Sequence, residues 1–359
     1  MGAESAMLSS NHEMRQQPVN VPRVSVVIGA YNGEKFLRPA IEGILNQTFR
    51  DFELIVVDDG SHDNTARILD EFRDEKMRVV YNDQNLGIAA TLNKGIALAR
   101  GEYVALQDHD DVSVPERLAV QVAFLDNHPQ IGMVGSSCSI IDEAGTLLEN
   151  RPVETDESKL RWGLLWRTML HHTTLMVKRQ AIEEVGGYSP DPQYRFAEDY
   201  DLMSRVAHRY RVVNLPQILG YWRVHKTSAS QLNAREQVAA GRSISQRNIS
   251  TLLGWERMDP LCWKGLEKFL YHPVRQPLHF TSAETKRTLN FLTTIHNTFC
   301  SKYGISRREA AAQRLNVFWP WGKHALALSY RRDGPRDAAC RFSLMVGGAK
   351  LVARAVRPM

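Results

Sequence analysis

The sequence has few cysteines, no long apolar run and only a small excess of charge of one sign. Its four cysteines lie far apart, without a CxxC pair, in a chain of 359 residues. This usage predicts neither a zinc site nor a disulfide framework, and we expect a reducing, cytoplasmic compartment. No stretch reaches the roughly 18 apolar residues that a membrane-spanning helix needs. The 45 Lys and Arg exceed the 40 Asp and Glu by five, which is too few and too dispersed to indicate a nucleic-acid partner.

The first twenty residues also lack the apolar core of a signal peptide. Ala6 stands where a myristoylation motif needs Ser or Thr. We therefore expect residues 1–20 to form a disordered leader. The hydrophobic content of 43% is sufficient for a substantial core in the rest of the chain.

Apolar runs and amphipathic segments alternate along the first third of the chain. Four runs predict buried strands: 24–28, 52–57, 78–81 and 103–106. The segments between them have helical spacing, and the third helix is expected to end at Gly101, a residue type common at helix C-termini. This series predicts an α/β fold with a mostly parallel sheet and helices on both faces. From Ile131 to about Glu149, shorter runs broken by Gly and Asp predict strands or hairpins at the edge of that sheet.

Polar and aromatic side chains follow these strands. The group consists of Tyr31, Asp58, Asp59, Asp108 and Asp110. Ligands bind beyond the carboxyl ends of parallel strands, so we expect these side chains to line one crevice. Asp108, Asp110 and Asp111 would all be ionised at neutral pH, and such crowding favours a bound divalent cation, for which oxygen ligands suit Mg²⁺ or Mn²⁺. The alternative is a solvated acidic turn that caps the next helix.

Several classes of nucleotide-binding protein share the alternating pattern of strands and helices. The first turn, residues 29–33, lacks the GxGxxG spacing of a dinucleotide-binding fold, and the chain has no Walker motif. A nucleotidyltransferase would carry a glycine-rich basic loop after its first strand, which this turn does not supply. Any bound phosphates must therefore depend largely on the metal.

Further candidates follow in the middle of the chain. Glu198 and Asp199 begin a predicted helix; a single acid there could be a helix cap, but the acidic cluster favours a site. Arg223 and His225 leave a strand and could meet a diphosphate and a metal, or equally lie on the surface. His171 and His172 could be ligands, although no partner lies at a fixed spacing. Trp162 and Trp166, one helical turn apart, are more typical of core packing than of sugar stacking.

The ordered set of motifs resembles the inverting glycosyltransferases of family 2, which have the GT-A fold. The resemblance rests on VSVVIGAYNGEKFL, ELIVVDDGSHDNT, NLGIAATLNKGIALARGEYVALQDHDD, the Glu198-Asp199 pair and Tyr221 to His225. It covers about residues 21–230, which implies a GT-A catalytic domain there and a helical extension over 231–359. A non-catalytic nucleotide-sugar-binding or assembly protein with the same fold is the alternative.

The resemblance also implies a role for each donor-side residue. Tyr31 would stack on the nucleotide base and Asp59 would hydrogen-bond it, with Asp58 as the adjacent member of that motif. Asp110 would be the usual metal contact, whereas Asp108 would face the ribose or a metal-bound water. A UDP- or dTDP-sugar is the implied donor, with Mn²⁺ or Mg²⁺ as cofactor. His109 lies within the DxD motif, where small residues are common.

On the acceptor side, the resemblance makes Asp199 the general base and Glu198 its supporting neighbour. His225 matches a histidine that closes over the metal or the diphosphate in some relatives. Arg223 could add to the stabilisation of the leaving diphosphate. The acceptor would be a glycan or a lipid-linked glycan, attacked in one displacement that inverts the anomeric centre.

The last third of the chain shows helical spacing without recognisable chemistry. Residues 233–271 and 283–303 each predict helices, which could shape the acceptor pocket or build a homodimer. The arginine-rich segment from Arg331 onward has one apolar face, as in helices that lie on an anionic membrane surface. Such an end would bring the protein to the cytoplasmic membrane face; a helix docked on the protein's own core is the alternative.

Overall fold

The computed structural model describes residues 21–270, 281–306 and 309–310. The expected leader over 1–20 and the basic segment from Arg331 lie outside these residues. The strands are β1 (Val24–Ala30), β2 (Phe52–Asp58), β3 (Met77–Tyr81), β4 (Tyr103–Asp108), β5 (Val112–Ser113), β6 (Ile131–Ile141), β7 (Leu147–Arg151), β8 (Met176–Lys178) and β9 (Arg211–Arg223). The helices are α1 (Leu37–Leu45), α2 (Thr65–Glu71), α3 (Ile88–Leu98), α4 (Arg117–Asn127), α5 (Glu157–Gly163), α6 (Arg179–Val185), α7 (Glu198–Arg209), α8 (Ala229–Leu232), α9 (Ala234–Leu253), α10 (Pro260–Leu270) and α11 (Ser282–Lys302).

The strands of the described chain form one mixed sheet in the order β3-β2-β1-β4-β8-β6-β9-β5, with β7 paired to β6. The first four strands in that order run parallel. The short β8 is antiparallel to both β4 and β6, and β9 returns parallel to β6. The predicted α/β fold with a mostly parallel sheet flanked by helices is confirmed.

Helices cover both faces of the parallel strands, which explains their continuous apolar sequences. Along β1, Val26 and Ile28 pack in a core with α1 and α4, whereas Val27 packs in a second core with α3 and α7. This two-residue alternation is the ordinary geometry of a strand, here with both faces buried. Each fully buried side chain of this kind contributes about 1.5–3 kcal/mol relative to exposure.

The C-terminal helices pack directly against this unit. Ala240 and Ile244 of α9 belong to the same core as α3 and α7. A third core joins α9, α10 and α11 to Trp162 and Trp166, whose rings lie 5.3 Å apart. The core-packing interpretation of the tryptophan pair is therefore confirmed. None of the helices that the structure describes has an apolar stretch long enough to cross a bilayer.

Of two sequence expectations about glycine-containing segments, the one for Gly101 is wrong, and the one for the edge of the sheet holds for the hairpin and the exposed β7 but not for β6. The helix α3 ends at Leu98 with Ala99 as its C-terminal cap residue, so Gly101 is not the cap. A Cβ at Gly101 would lie 2.6 Å from the Ser25 nitrogen, which means that this position needs glycine for the close approach to β1. The strand β6 pairs with β7 as a hairpin but is buried throughout and lies between β8 and β9, not at the sheet's edge.

Candidate active site

The carboxyl ends of the parallel strands bring the predicted site residues to one edge of the sheet. In the register of the sheet, Ala30 pairs with Asp58, Gly29 pairs with Asp108 and Asp58 pairs with Tyr81. The loops that follow β1, β2, β3 and β4 therefore start at the same level. The strand ends therefore meet as the sequence predicted, and the shared ligand crevice stays a prediction.

Tyr31 begins the first of these loops and is 39% exposed. The next residue, Asn32, has a φ of 50° and holds the loop after β2: its nitrogen donates to Ser61 Oγ at 2.9 Å, and its Oδ1 accepts from the His62 nitrogen at 3.0 Å. Asp58 is buried and accepts hydrogen bonds from the backbone and hydroxyl of Ser61. The contacts of Asp58 thus fix the turn after β2, which also carries His62, whose ring centre lies 6.5 Å from that of Tyr31.

Asp59 connects the loop after β2 to the loop after β3. Its buried carboxylate accepts from Asn82 Nδ2 at 2.8 Å and from the backbone nitrogens of Leu86 and Gly87, each at 2.9 Å. Asn82 in turn accepts from Lys94 Nζ at 2.6 Å. Sequence analysis missed Asn82 and Lys94, whose only sequence signal is their position after the third strand.

Asp108, at the end of β4, is hydrogen-bonded to His172, for which the sequence indicated no partner. His172 Nδ1 lies 2.7 Å from Asp108 Oδ1, and His172 Nε2 lies 2.6 Å from Tyr188 Oη. Burial lowers the pKa of His172, but the negative charges of Asp108, Asp199 and Glu198 outweigh burial and raise it to about 9. A cationic His172 at neutral pH therefore joins the first acid of the DxD motif electrostatically to the acidic pair of α7.

Asp110 is paired with the second predicted histidine. His225 Nε2 lies 2.9 Å from Asp110 Oδ2, and its Nδ1 lies 2.9 Å from Thr227 Oγ1. The His225 ring also packs 4.8 Å from Phe36. Burial acts to raise the pKa of Asp110, but its hydrogen bond to His225 and the charges of His225 and His109 hold that pKa below its usual value.

This pair can be tested against the donor set of a divalent cation. Asp110 and His225 present a carboxylate oxygen and an imidazole nitrogen at one point. Within the described ranges, no three His, Cys, Asp or Glu side chains are grouped so that they could hold a metal by themselves. Mg²⁺ and Mn²⁺ sites in phosphate-binding enzymes use one or two carboxylates and complete their shell with waters and phosphates, so the two residues fit an ion that arrives with its substrate.

Asp111 and Arg223 are structural partners of the acidic turn. Asp111 is 1% exposed and accepts the Arg223 backbone N–H at 2.7 Å. Burial, together with the neighbouring acids of the turn, raises the pKa of Asp111 well above its usual value. The Arg223 side chain donates to the carbonyl oxygens of Asp110, Asp142 and Glu143 at 2.9–3.2 Å. Arg223 thus anchors the turn, and its contact with a diphosphate stays a prediction.

A second arginine, which sequence analysis did not select, lies beneath the same turn. Arg117 is fully buried, and its guanidinium donates to Gln107 Oε1, Ser113 Oγ and the carbonyl oxygens of Leu106 and Leu175 at 2.8–3.0 Å. Burial lowers its pKa to about 9, although the acids of the turn act to raise it. At neutral pH Arg117 is a buried cation that faces the acidic turn.

Gln107 transmits this arrangement to the turn itself. Its Nε2 donates to the carbonyl oxygens of Asp108 and Asp111, at 3.1 and 2.7 Å. The two ends of the turn are therefore held together from below. His109, within the turn, packs against the first loop, where a Cβ at Gly33 would lie 2.8 Å from the imidazole. The glycine at this position accommodates the histidine inside the DxD motif.

Glu198 and Asp199 occupy the first turn of α7, where Ala197 is the N-cap residue, so neither acid serves as the cap. Burial raises the pKa of Glu198 to about 7, with a contribution from Asp199, and burial also raises the pKa of Asp199. Glu198 Oε2 is buried and has no hydrogen-bond partner among the described residues. Asp199 Oδ1 accepts the Tyr200 N–H at 2.7 Å. Carboxylates with raised pKa values in a cleft are typical of general bases.

Comparisons with known proteins agree with this geometry. The family model described as glycosyl transferase family 2 matches residues 25–186. The chain is 36% identical over 203 residues to a putative glycosyltransferase, EpsE, of Bacillus subtilis, covering 55% of this chain and 72% of that protein. It is 30% identical over 247 residues to an uncharacterized glycosyltransferase of Haemophilus influenzae, covering 65% and 75% of the two chains.

Solved structures show the same fold. S. aureus TarS, residues 1–349 in complex with UDP-GlcNAc, superposes with a TM-score of 0.54 at 17% identity, covering 91% of this chain and 92% of that one. The fold, the family model and these relatives together define a glycosyltransferase with the GT-A fold. The chain belongs to glycosyl transferase family 2, as its similarity to EpsE over most of that protein demonstrates.

Proposed function

We propose that this glycosyltransferase moves a sugar from a nucleotide-diphosphate donor to a hydroxyl group of a glycan or lipid-linked glycan, with inversion at the anomeric carbon. The observation that carries the proposal is the electrostatic cluster around His172, which includes Asp108 from the donor side and both Glu198 and Asp199 from α7. Together with the 2.7 Å contact of His172 with Asp108, this cluster supports a site that combines groups suited to a charged donor with groups suited to proton removal.

In this proposal, the loops after β1 and β2 bind the nucleotide of the donor. The exposed ring of Tyr31 is free to stack on a base, and the buried Asp58 and Asp59 hold the surrounding loops in a fixed shape. TarS, which has the same fold, was solved in complex with UDP-GlcNAc. We therefore favour a UDP- or dTDP-sugar as donor, with Asp108 near its ribose or a metal-bound water.

Asp110 and His225 would hold the divalent cation, Mn²⁺ or Mg²⁺, with Asp108 close by. A bound cation would stabilise the negative charge that develops on the departing diphosphate. Since His225 Nε2 and Asp110 Oδ2 are hydrogen-bonded to each other, the proton between them must move away before both atoms can bind an ion. Arg223 keeps the turn in place from behind through its three backbone contacts.

Asp199 is the proposed general base. As the acceptor oxygen bonds to the anomeric carbon, its proton passes to the Asp199 carboxylate and the bond to the diphosphate oxygen breaks with its electron pair. A raised pKa makes a carboxylate a better proton acceptor at neutral pH. Glu198 is the proposed supporting neighbour of Asp199, and its Oε2 atom has no hydrogen-bond partner among the residues that the structure describes.

The decisive experiment is a screen of the purified full-length protein against a panel of UDP-, dTDP- and GDP-sugars. The assay measures release of free nucleotide with Mn²⁺, with Mg²⁺ and with EDTA. We expect turnover with at least one uridine or thymidine donor that EDTA abolishes, and a product of opposite anomeric configuration by NMR. Binding of donors without turnover would favour a non-catalytic role, and retention of configuration would exclude the single displacement.

A further inference from the structure

One helix of the C-terminal segment reaches the first turn of α7. Asp201, two residues after the proposed base, is fully buried, and its carboxylate pairs with two arginines. Arg205 comes from α7 itself and donates through Nε at 2.9 Å, whereas Arg247 comes from α9 and donates to the other carboxylate oxygen. Arg247 also donates to Ser204 Oγ at 2.7 Å. The guanidinium of Arg247 therefore binds α9 to α7 next to Asp199.

The same segment of α9 also contacts Tyr200, the residue between Asp199 and Asp201. Asn248 Nδ2 lies 3.4 Å from Tyr200 Oη, and Ser245 Oγ lies 3.3 Å from the same oxygen. Tyr200 is buried, as are both of these α9 residues. Arg247 further packs over the ring of Tyr194 at 5.1 Å, in the loop that leads into α7. Contacts from α9 thus reach the loop before Asp199 and the two residues after it.

Asp199 itself has little to fix its position. Its N-cap residue, Ala197, supplies no side-chain hydrogen bond, and the preceding Phe196 has a φ of 68°, in the left-handed region. The Asp199 carboxylate accepts a hydrogen bond from its own helix at Tyr200 N. This hydrogen bond ties the direction of the carboxylate to the backbone of the first turn, and that backbone is anchored through Asp201.

We propose that Arg247 is a positioning residue for sugar transfer: through Asp201 it fixes the first turn of α7 and with it the Asp199 carboxylate. The inference rests on the proposed role of Asp199 as general base. Arg205 holds the same carboxylate but donates to the carbonyl oxygens of Val185 and Gly187, which lie on the α6 side. Arg247 provides the anchor on the opposite, C-terminal side. The helical extension is thereby a component of the catalytic unit.

The test compares three variants of the full chain. Arg247→Met removes the cation, Arg247→Lys keeps a charge that can reach Asp201, and Arg242→Met removes an α9 ion pair to Glu267 of α10 as the matched control. A displacement of about 1 Å in a catalytic group can lower turnover about 100-fold. We expect R247M to lower kcat about 10- to 100-fold with the most active donor of the screen, while the Kd for UDP with Mn²⁺ stays within about twofold. R247K should recover part of kcat, and R242M should retain it.

Amide hydrogen exchange gives a second measurement that does not depend on activity. In R247M, exchange at residues 198–204 should accelerate about tenfold relative to the amides of α3, since a locally freed helix turn opens more often. Unchanged exchange there, or an R247M kcat within twofold of the wild type, would overturn the inference. Equal losses of kcat and UDP affinity would also reject it, because a positioning defect spares donor binding. Normal turnover in Asp199→Asn would instead refute the proposed function.

Discussion

His172 Nδ1 lies 2.7 Å from Asp108 Oδ1, between two acidic groups that are far apart in the sequence. On one side is the turn that follows β4, and on the other is the Glu198-Asp199 pair, whose charges contribute to the pKa of about 9 for His172. The histidine is thus a half-buried cation shared by the proposed donor and acceptor sides. Its presence reduces the repulsion that would otherwise oppose ionisation of three nearby carboxylates.

Replacement of Asp199 by Asn is expected to abolish sugar transfer and to spare nucleotide binding. The amide keeps the size of the side chain but cannot accept the acceptor's proton, and general-base catalysis of this kind contributes about 10²- to 10⁴-fold. The measurement is nucleotide release together with calorimetric titration by UDP and Mn²⁺. Glu198→Gln is the matched control, for which we expect a smaller loss of kcat. Wild-type turnover in D199N would remove Asp199 from the mechanism.

Replacement of Asp110 by Ala should weaken the binding of UDP in the presence of Mn²⁺. The variant removes a carboxylate from the proposed ion site and leaves His225 Nε2 without the Asp110 oxygen that lies 2.9 Å from it. Calorimetry with and without EDTA separates the metal-dependent part of the affinity from the rest. Asp126→Asn, which alters a surface ion pair with Arg23, is the control. An unchanged Mn²⁺-dependent affinity in D110A would contradict the metal assignment.

The strands that carry Tyr31, Asp59 and Asp108 could be predicted because strands buried on both faces have continuous apolar sequences. Their convergence followed from the parallel order of the sheet, which the alternating pattern implies. The boundaries were less certain, as at Gly101, because a glycine that ends a helix and a glycine that permits a close backbone approach look alike in a sequence.

The contacts within the site could not be predicted in the same way. His172 is separated from Asp108 by 64 residues, and its position depends on how β8 inserts antiparallel to β4. The roles of the arginines could not be predicted from the sequence either. A sequence does not distinguish an arginine that meets a diphosphate from one that, like Arg223 or Arg117, is occupied by backbone carbonyl oxygens. Such distinctions depend on tertiary geometry.

Arg117 is expected to be a major contributor to stability. Its replacement by Met would leave buried acceptors such as Gln107 Oε1 and the Leu106 carbonyl without donors and would remove the cation beneath the acidic turn. Loss of such a network costs about 3–5 kcal/mol in the free energy of unfolding, measured by urea denaturation. Arg23→Gln, at an exposed ion pair with Glu102, is the control and should cost less than about 1 kcal/mol. Equal effects of the two variants would contradict this role.

Glu198 makes stability fall as the pH rises from about 4.5 to about 7. Its pKa of about 7 in the folded protein exceeds the ordinary glutamate value of 4.5, so the folded protein holds a proton in this range that the unfolded chain has released. This difference destabilises the fold at neutral pH by about 1–3 kcal/mol, since the side chain is partly exposed. In EDTA, the wild type should lose stability over this range relative to Glu198→Gln. If the stability of the two proteins changed with pH in the same way, Glu198 would not be the group responsible.

The last prediction concerns the pH dependence of turnover after the replacement of His172 by Gln. Positive charge on His172 lowers the pKa of Asp199, which burial raises. Without that charge the pKa of Asp199 rises further, and because the base acts in its ionised form, the acidic limb of the kcat profile should move to higher pH. His171→Gln is the matched control, since burial lowers the pKa of His171 to about 4 and leaves it neutral. An acidic limb that stays in place in H172Q, or that moves equally in H171Q, would show that His172 does not tune the base.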